Sequence, residues 1–105
     1  MKIAKECQIH YQQFTCYVEL DITPRGNILT LKEHGTRETV VTITALPTEK
    51  DALSINEVAV KDYGDTEGIL RQLVEQGVLA VPTRGLTEFD TGILICELEG
   101  DLKIA

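Results

Sequence analysis

Three cysteines and two histidines are the residues here most able to do chemistry. Cys7-x-x-His10 followed by Cys16 offers three ligands of the kinds zinc takes, and Cys96 or His34 would complete four. Structural zinc sites ordinarily show short-spaced pairs on both sides, and this chain has one such pair. Cys16 and Cys96 lie in apolar strand-like stretches, where a free cysteine serves as a small core residue. The expectation is therefore no metal and no cofactor, with Cys7, His10 and Cys16 as the residues to check. Cys7 or Cys96 beside His10 or His34 would make a nucleophilic dyad. Nothing in the spacing joins them, and a cysteine on a buried strand is inert.

Carboxylates form two further groups: Asp62, Asp65 and Glu67 ahead of a helical stretch, and Glu88 and Asp90 in a turn-rich segment. Acid–base chemistry needs two carboxyls in different surroundings around a cleft. Helix capping accounts for the first group and a polar loop for the second. Phosphate-loop and dinucleotide fingerprints are missing, as are Gly-x-Ser-x-Gly and His-Glu-x-x-His. No stretch names a reaction, and the balance favours a protein that is not an enzyme.

Ten Lys and Arg stand against seventeen Asp and Glu, a formal net charge of -7. Phosphate contacts need a basic surface, so direct binding to nucleic acid or to an anionic membrane is not expected. The acidity serves solubility, or it suits a basic protein partner. In the sharper form the chain would mimic nucleic acid and inhibit such a partner. The length of 105 residues and a hydrophobic fraction of 43% fit one domain, 1–105, with a modest core. No apolar run reaches the length of a membrane span, and the first residues, MKIAKECQIHYQQ, lack a signal-peptide core. An odd number of cysteines fits reduced thiols, so a cytoplasmic protein is expected.

The strongest local signal runs over 56–79. A short strand over 57–60 is followed by a polar break and a helix of about three turns, starting from an N-cap at Asp65 or Thr66. Ile69, Leu70, Leu73 and Val74 share one face, and Arg71, Gln72, Glu75 and Gln76 the other. Gly77 is placed to end the helix in a left-handed turn, with Val78 as the apolar residue that closes a Schellman motif. Gly68 would lie in the first turn, where a glycine costs up to about 1 kcal/mol relative to alanine.

Before that unit, Cys16, Val18, Leu20 and Ile22 alternate with Thr15, Tyr17, Glu19 and Asp21, as on a strand with one buried face. A turn over 23–27 leads to a return strand over 28–32 with Leu29 and Leu31 inward. A second turn over 33–36 leads to a third strand over 37–45 with Val41, Ile43 and Ala45 inward. Residues 1–13 are ambiguous between strand and helical turn. Leu53 and Ile55 are candidate anchors of a loop. After the helix come a short strand over 78–81, a charged loop over 83–92 and a nearly continuous apolar strand over 93–98. The tail adds a short edge segment through Leu102 and Ile104, or frays. The fold class is α+β: an antiparallel meander, one packed helix and additional C-terminal strands.

Val60-Lys61-Asp62-Tyr63, Glu67-Gly68-Ile69-Leu70, Leu73, Gly77-Val78, Gly92 and Cys96-Glu97-Leu98 form a pattern that resembles one in small uncharacterised prokaryotic and mobile-element proteins. There a strand ending in Lys-Asn/Asp-Tyr precedes Glu-Gly-x-Leu and a glycine-closed helix. The resemblance covers the C-terminal half and departs from the pattern at Gly64-Asp65-Thr66. It implies a prokaryotic or phage-like setting and assigns no functional residue.

What remains is surface for recognition. Tyr17, Glu19, Asp21, Thr30, Lys32, Thr42 and Thr44 fall on the outer face of the meander. Tyr63, Asp65 and Glu67 mark the helix start, and Glu88 and Asp90 the late loop. Strand edges offer pairing with another chain, as a homodimer or a bound peptide. The leading expectation is a small acidic accessory protein that binds another protein. The alternatives are the nucleic-acid mimic and a small ligand-binding domain or enzyme. In the latter the 83–92 loop would close over a pocket near Tyr63, Asp65 and Cys96.

Overall fold

A computed structural model of the chain describes residues 1–47, 53–85 and 93–103. The first sheet is the meander, with β1 (Lys2–Tyr11), β2 (Phe14–Thr23), β3 (Gly26–Glu33) and β4 (Thr39–Thr42) side by side in chain order. The second contains β5 (Thr44–Ala45), β6 (Glu57–Lys61), β7 (Arg84–Gly85) and β8 (Ile93–Glu97) in the order β5-β6-β8-β7. Every pairing is antiparallel. One helix, α1 (Ile69–Glu75), lies between β6 and β7 in the chain. The fold is α+β, as the patterning predicts.

Alternation sets the core. Cys16, Val18 and Leu20 of β2 and Leu29 and Leu31 of β3 are fully buried. They meet Val58 and Val60 of β6, Cys96 of β8 and Ile69, Leu70 and Leu73 of α1 in one cluster. The opposite face of the second sheet carries a smaller cluster of Ala59, Ile93 and Ile95, with Ala45 and Leu53 against it. That second layer explains the apolar run of β8, which is buried on both faces between β6 and β7. Thr23 shapes the β2–β3 turn: its hydroxyl donates to the Gly26 carbonyl at 2.7 Å and accepts the Arg25 amide at 3.2 Å.

The ambiguous N-terminus is a ten-residue strand, so the meander has four strands. The third predicted strand is broken at Ile43, which belongs to neither sheet and to both. Its amide donates to the Leu29 carbonyl of β3 at 3.0 Å, and its carbonyl accepts the Lys61 amide of β6 at 2.8 Å. The chain crosses between sheets there, which turns Thr44 inward. Thr44 is buried, and its hydroxyl accepts the Leu29 amide at 3.1 Å.

The helix is shorter than its pattern predicts. Residues Gly64–Thr66 form a separate 3-10 turn, and Gly68, with φ of 86°, precedes α1 in a left-handed conformation. The cap is neither Asp65 nor Thr66: the Asp62 carboxylate accepts the Gly68 and Leu70 amides at 2.9 and 3.4 Å. The C-terminal end follows its prediction. Gly77 has φ of 74°, its amide donates to the Val74 carbonyl at 3.1 Å, and the Val78 amide donates to Leu73 at 2.9 Å. Residues 78–81 make a single bridge, Leu79 with Leu98, rather than a strand. Leu102 is buried in a 3-10 turn; Leu53 packs on the smaller cluster, whereas the Ile55 side chain is 65% exposed and only its carbonyl is held, by the Asn27 side-chain amide at 2.7 Å.

Candidate functional site

The two edges of the meander are finished differently. At β1 the polar face of α1 supplies what a neighbouring strand would. Gln72 accepts the His10 amide at 2.7 Å and donates to the His10 carbonyl at 2.8 Å, while Gln76 accepts the Gln8 amide at 3.0 Å. At β4 no hydrogen bond reaches the outer edge among the described residues. Bonded and non-bonded positions alternate along an antiparallel pair. Because the Ile43 amide bonds Leu29, and Thr42 stands opposite Thr30, the Thr42 peptide groups face away from β3.

A bulge shapes this edge. Leu31 pairs with Val41 and Lys32 with Thr39, which leaves Val40 as the extra residue. Both valines are then half-buried against the core, as are Tyr11 and Phe14, which pair at the end of the β1–β2 hairpin. Two recesses flank β4. One, of about 170 Å³, is lined by Phe14, Glu33, Thr36, Glu38, Thr39 and Val40. The other, of about 250 Å³, is lined by Tyr11, Val41, Thr42, Lys61, Tyr63, Gly64, Asp65 and Thr66. The wall of the second is fixed by Thr66, whose hydroxyl reaches the Lys61 and Tyr63 carbonyls at 2.6 and 3.0 Å.

The structure thus brings Tyr63 and Asp65 to β4, with Tyr63 46% exposed. Glu67 is exposed just before α1, and Glu88 and Asp90 lie outside the described residues, as does most of the 83–92 loop. Cys96 is fully buried in β8 and does not line the recess of Tyr63 and Asp65.

The outer face of the meander is occupied by its own contacts. Glu19 pairs with Lys32 at 3.5 Å and Lys2 at 4.0 Å, and Asp21 with the N-terminal amine at 3.6 Å. Tyr17, predicted to face solvent, is 4% exposed. The Arg37 guanidinium covers its ring at 4.2 Å, and the His34 ring lies 5.6 Å away. Burial under two side chains from the turn between β3 and β4 removes Tyr17 from the accessible surface.

Cys7 and Cys16 are buried on the core side, while His10 is exposed on the other face of β1. Among the described residues no three His, Cys, Asp or Glu side chains are grouped to hold a metal. His34 lies near Cys7 through backbone: its Nε2 is 2.8 Å from the Cys7 carbonyl oxygen and its Nδ1 3.5 Å from Glu6. Burial raises the pKa of all three thiols, and that of Cys96 is pushed up to about 11 by burial and by the nearby Asp62 carboxylate. At neutral pH they are protonated, which is not the state of a nucleophile.

Sequence reasoning missed Phe14, Glu33, Glu38 and Val40. A signal was present where Glu33 in the second turn and Glu38 at the start of the third predicted strand flank His34 and Arg37. No protein-family model, curated protein or solved structure matches the chain significantly.

Proposed function

We propose that this chain is a non-enzymatic accessory protein that binds another protein by accepting an extended segment along the free edge of β4. The contrast between the two edges carries the reading: α1 seals β1 with glutamine side chains, while β4 keeps outward peptide groups between two recesses. Strand addition uses such groups for affinity and adjacent recesses for side-chain selection. The negative charge favours encounter with a basic partner. The setting implied by the sequence resemblance is prokaryotic or phage-like.

The test is affinity capture from nuclease-treated lysate with the wild-type chain and with Thr42→Pro, which removes an outward amide at an edge position. Equal melting midpoints establish that both are folded. A partner held by the wild type and lost by the variant supports strand addition; equal retention by both rejects it.

A further inference from the structure

We infer that the segment added at β4 is basic, with a Lys or Arg side chain seated in the recess of Phe14, Glu33 and Glu38. This rests on the strand-addition reading and goes further, to the chemistry of the occupant. The turn after β3 sorts its charges onto opposite faces of the sheet. Arg37 has φ of 63°, and its guanidinium lies over Tyr17 with Nη1 3.2 Å from Glu6. His34 turns the same way, to Glu6 and the Cys7 carbonyl. Arg37, the cation between the two glutamates in sequence, is thus spent on the outer face. Glu33 and Glu38 line the recess beside Thr39 and Val40, and neither forms an ion pair among the described residues.

The Glu33 carboxylate is held, and the Glu38 backbone is fixed beside it. Thr36 donates its hydroxyl to Glu33 Oε1 at 2.8 Å and accepts the Glu38 amide at 3.3 Å, and the Glu33 amide donates to the Glu38 carbonyl at 3.0 Å. Half-buried Phe14 supplies an apolar wall, which suits a side chain with an aliphatic stem and a cationic head. The second recess holds Lys61 together with Asp65, so its charge is mixed and the basic preference belongs to the Thr39 end.

The experiment is selection of a random heptapeptide library on the wild-type chain, followed by titration of the selected peptides and of copies with N-methylated backbones. The expected result is Lys or Arg at one fixed position and loss of binding on N-methylation. Affinity should also fall about three- to tenfold with Glu33→Gln plus Glu38→Gln, the range for two partly exposed ion pairs. The single Glu38→Gln change serves if the double change lowers the melting midpoint. Peptides that need an unmodified backbone but carry no fixed basic residue, or ignore the glutamine substitutions, overturn the basic occupant and leave strand addition standing. Peptides indifferent to N-methylation, or a library with no binder that depends on its backbone amides, overturn strand addition itself. Self-association that occupies the edge, seen by sedimentation, replaces the basic partner with a second copy of this chain.

Discussion

Gln72 holds one residue of β1, His10, by both halves of its backbone, accepting the amide at 2.7 Å and donating to the carbonyl at 2.8 Å. A side-chain amide has the donor and acceptor of a peptide group, so one glutamine takes the place of a neighbouring strand. Gln72→Ala should lower stability by about 1 kcal/mol, since each bond is worth about that much net and both are exposed to solvent. Urea denaturation measures the loss, and hydrogen exchange at the His10 amide should accelerate. Unchanged exchange there would show that the contact does not protect the edge.

Thr44 offers a sharper contrast. Thr44→Val keeps the shape but leaves the buried Leu29 amide without its acceptor, at a cost of about 1–3 kcal/mol. Thr44→Ser keeps the oxygen and should cost less than valine does. Denaturant midpoints for the two variants decide the matter: valine as stable as serine contradicts the role given to the hydroxyl.

The start of α1 depends on Asp62 and on the handedness of Gly68. Asp62→Ala should cost about 1 kcal/mol, the usual worth of a capping side chain. No atom stands within 4 Å of the space a β-carbon at Gly68 would fill, so Gly68→Ala is resisted by backbone conformation alone, by about 1–2 kcal/mol. Asparagine, which tolerates this conformation better, should fall between glycine and alanine. Thermal melts of the wild type and these two variants test the order.

Cys96 predicts how stability responds to alkali. Its thiol has an ordinary pKa of 9.0 when unfolded and one pushed up to about 11 in the fold. The folded state therefore keeps a proton that the unfolded chain loses as pH rises past the lower value. The contribution is intact below about pH 9 and disappears through about pH 11, an interval worth about 2–3 kcal/mol. Cys96→Val lacks this titration, so its stability relative to the wild type should rise across that window. A constant difference from pH 8 to 11, read from denaturant midpoints, would contradict the assignment.

Local motifs were legible in the sequence. The glycine closure after α1 is written in Gly77 and Val78, because both of its hydrogen bonds stay within six residues. The alternation of β3 also survives intact, and that of β2 is interrupted at Tyr17. Position relative to other elements was not legible. A period of two places Thr44 outside, but it cannot reveal that the chain changes sheets at Ile43 or that Val40 is an inserted residue. Tyr17 reads as a surface residue until Arg37 folds back over it. The break before the helix points to Tyr63 and Asp65, and it does lie beside β4. Glu33 reads as a turn residue and Glu38 as part of the third strand, since their prominence comes from where Arg37 goes rather than from their own spacing.

Ile43 has a consequence for how the chain avoids folding wrongly. A strand that slips by one residue exchanges its buried and exposed faces, and an isolated meander guards against this only through its own pattern. Here a single residue gives its amide to one sheet and its carbonyl to the other. Sliding β4 along β3 would pull β5 out of step with β6, so an error in either ladder is penalised in both. The molecule makes one alignment decision where two sheets would otherwise require two.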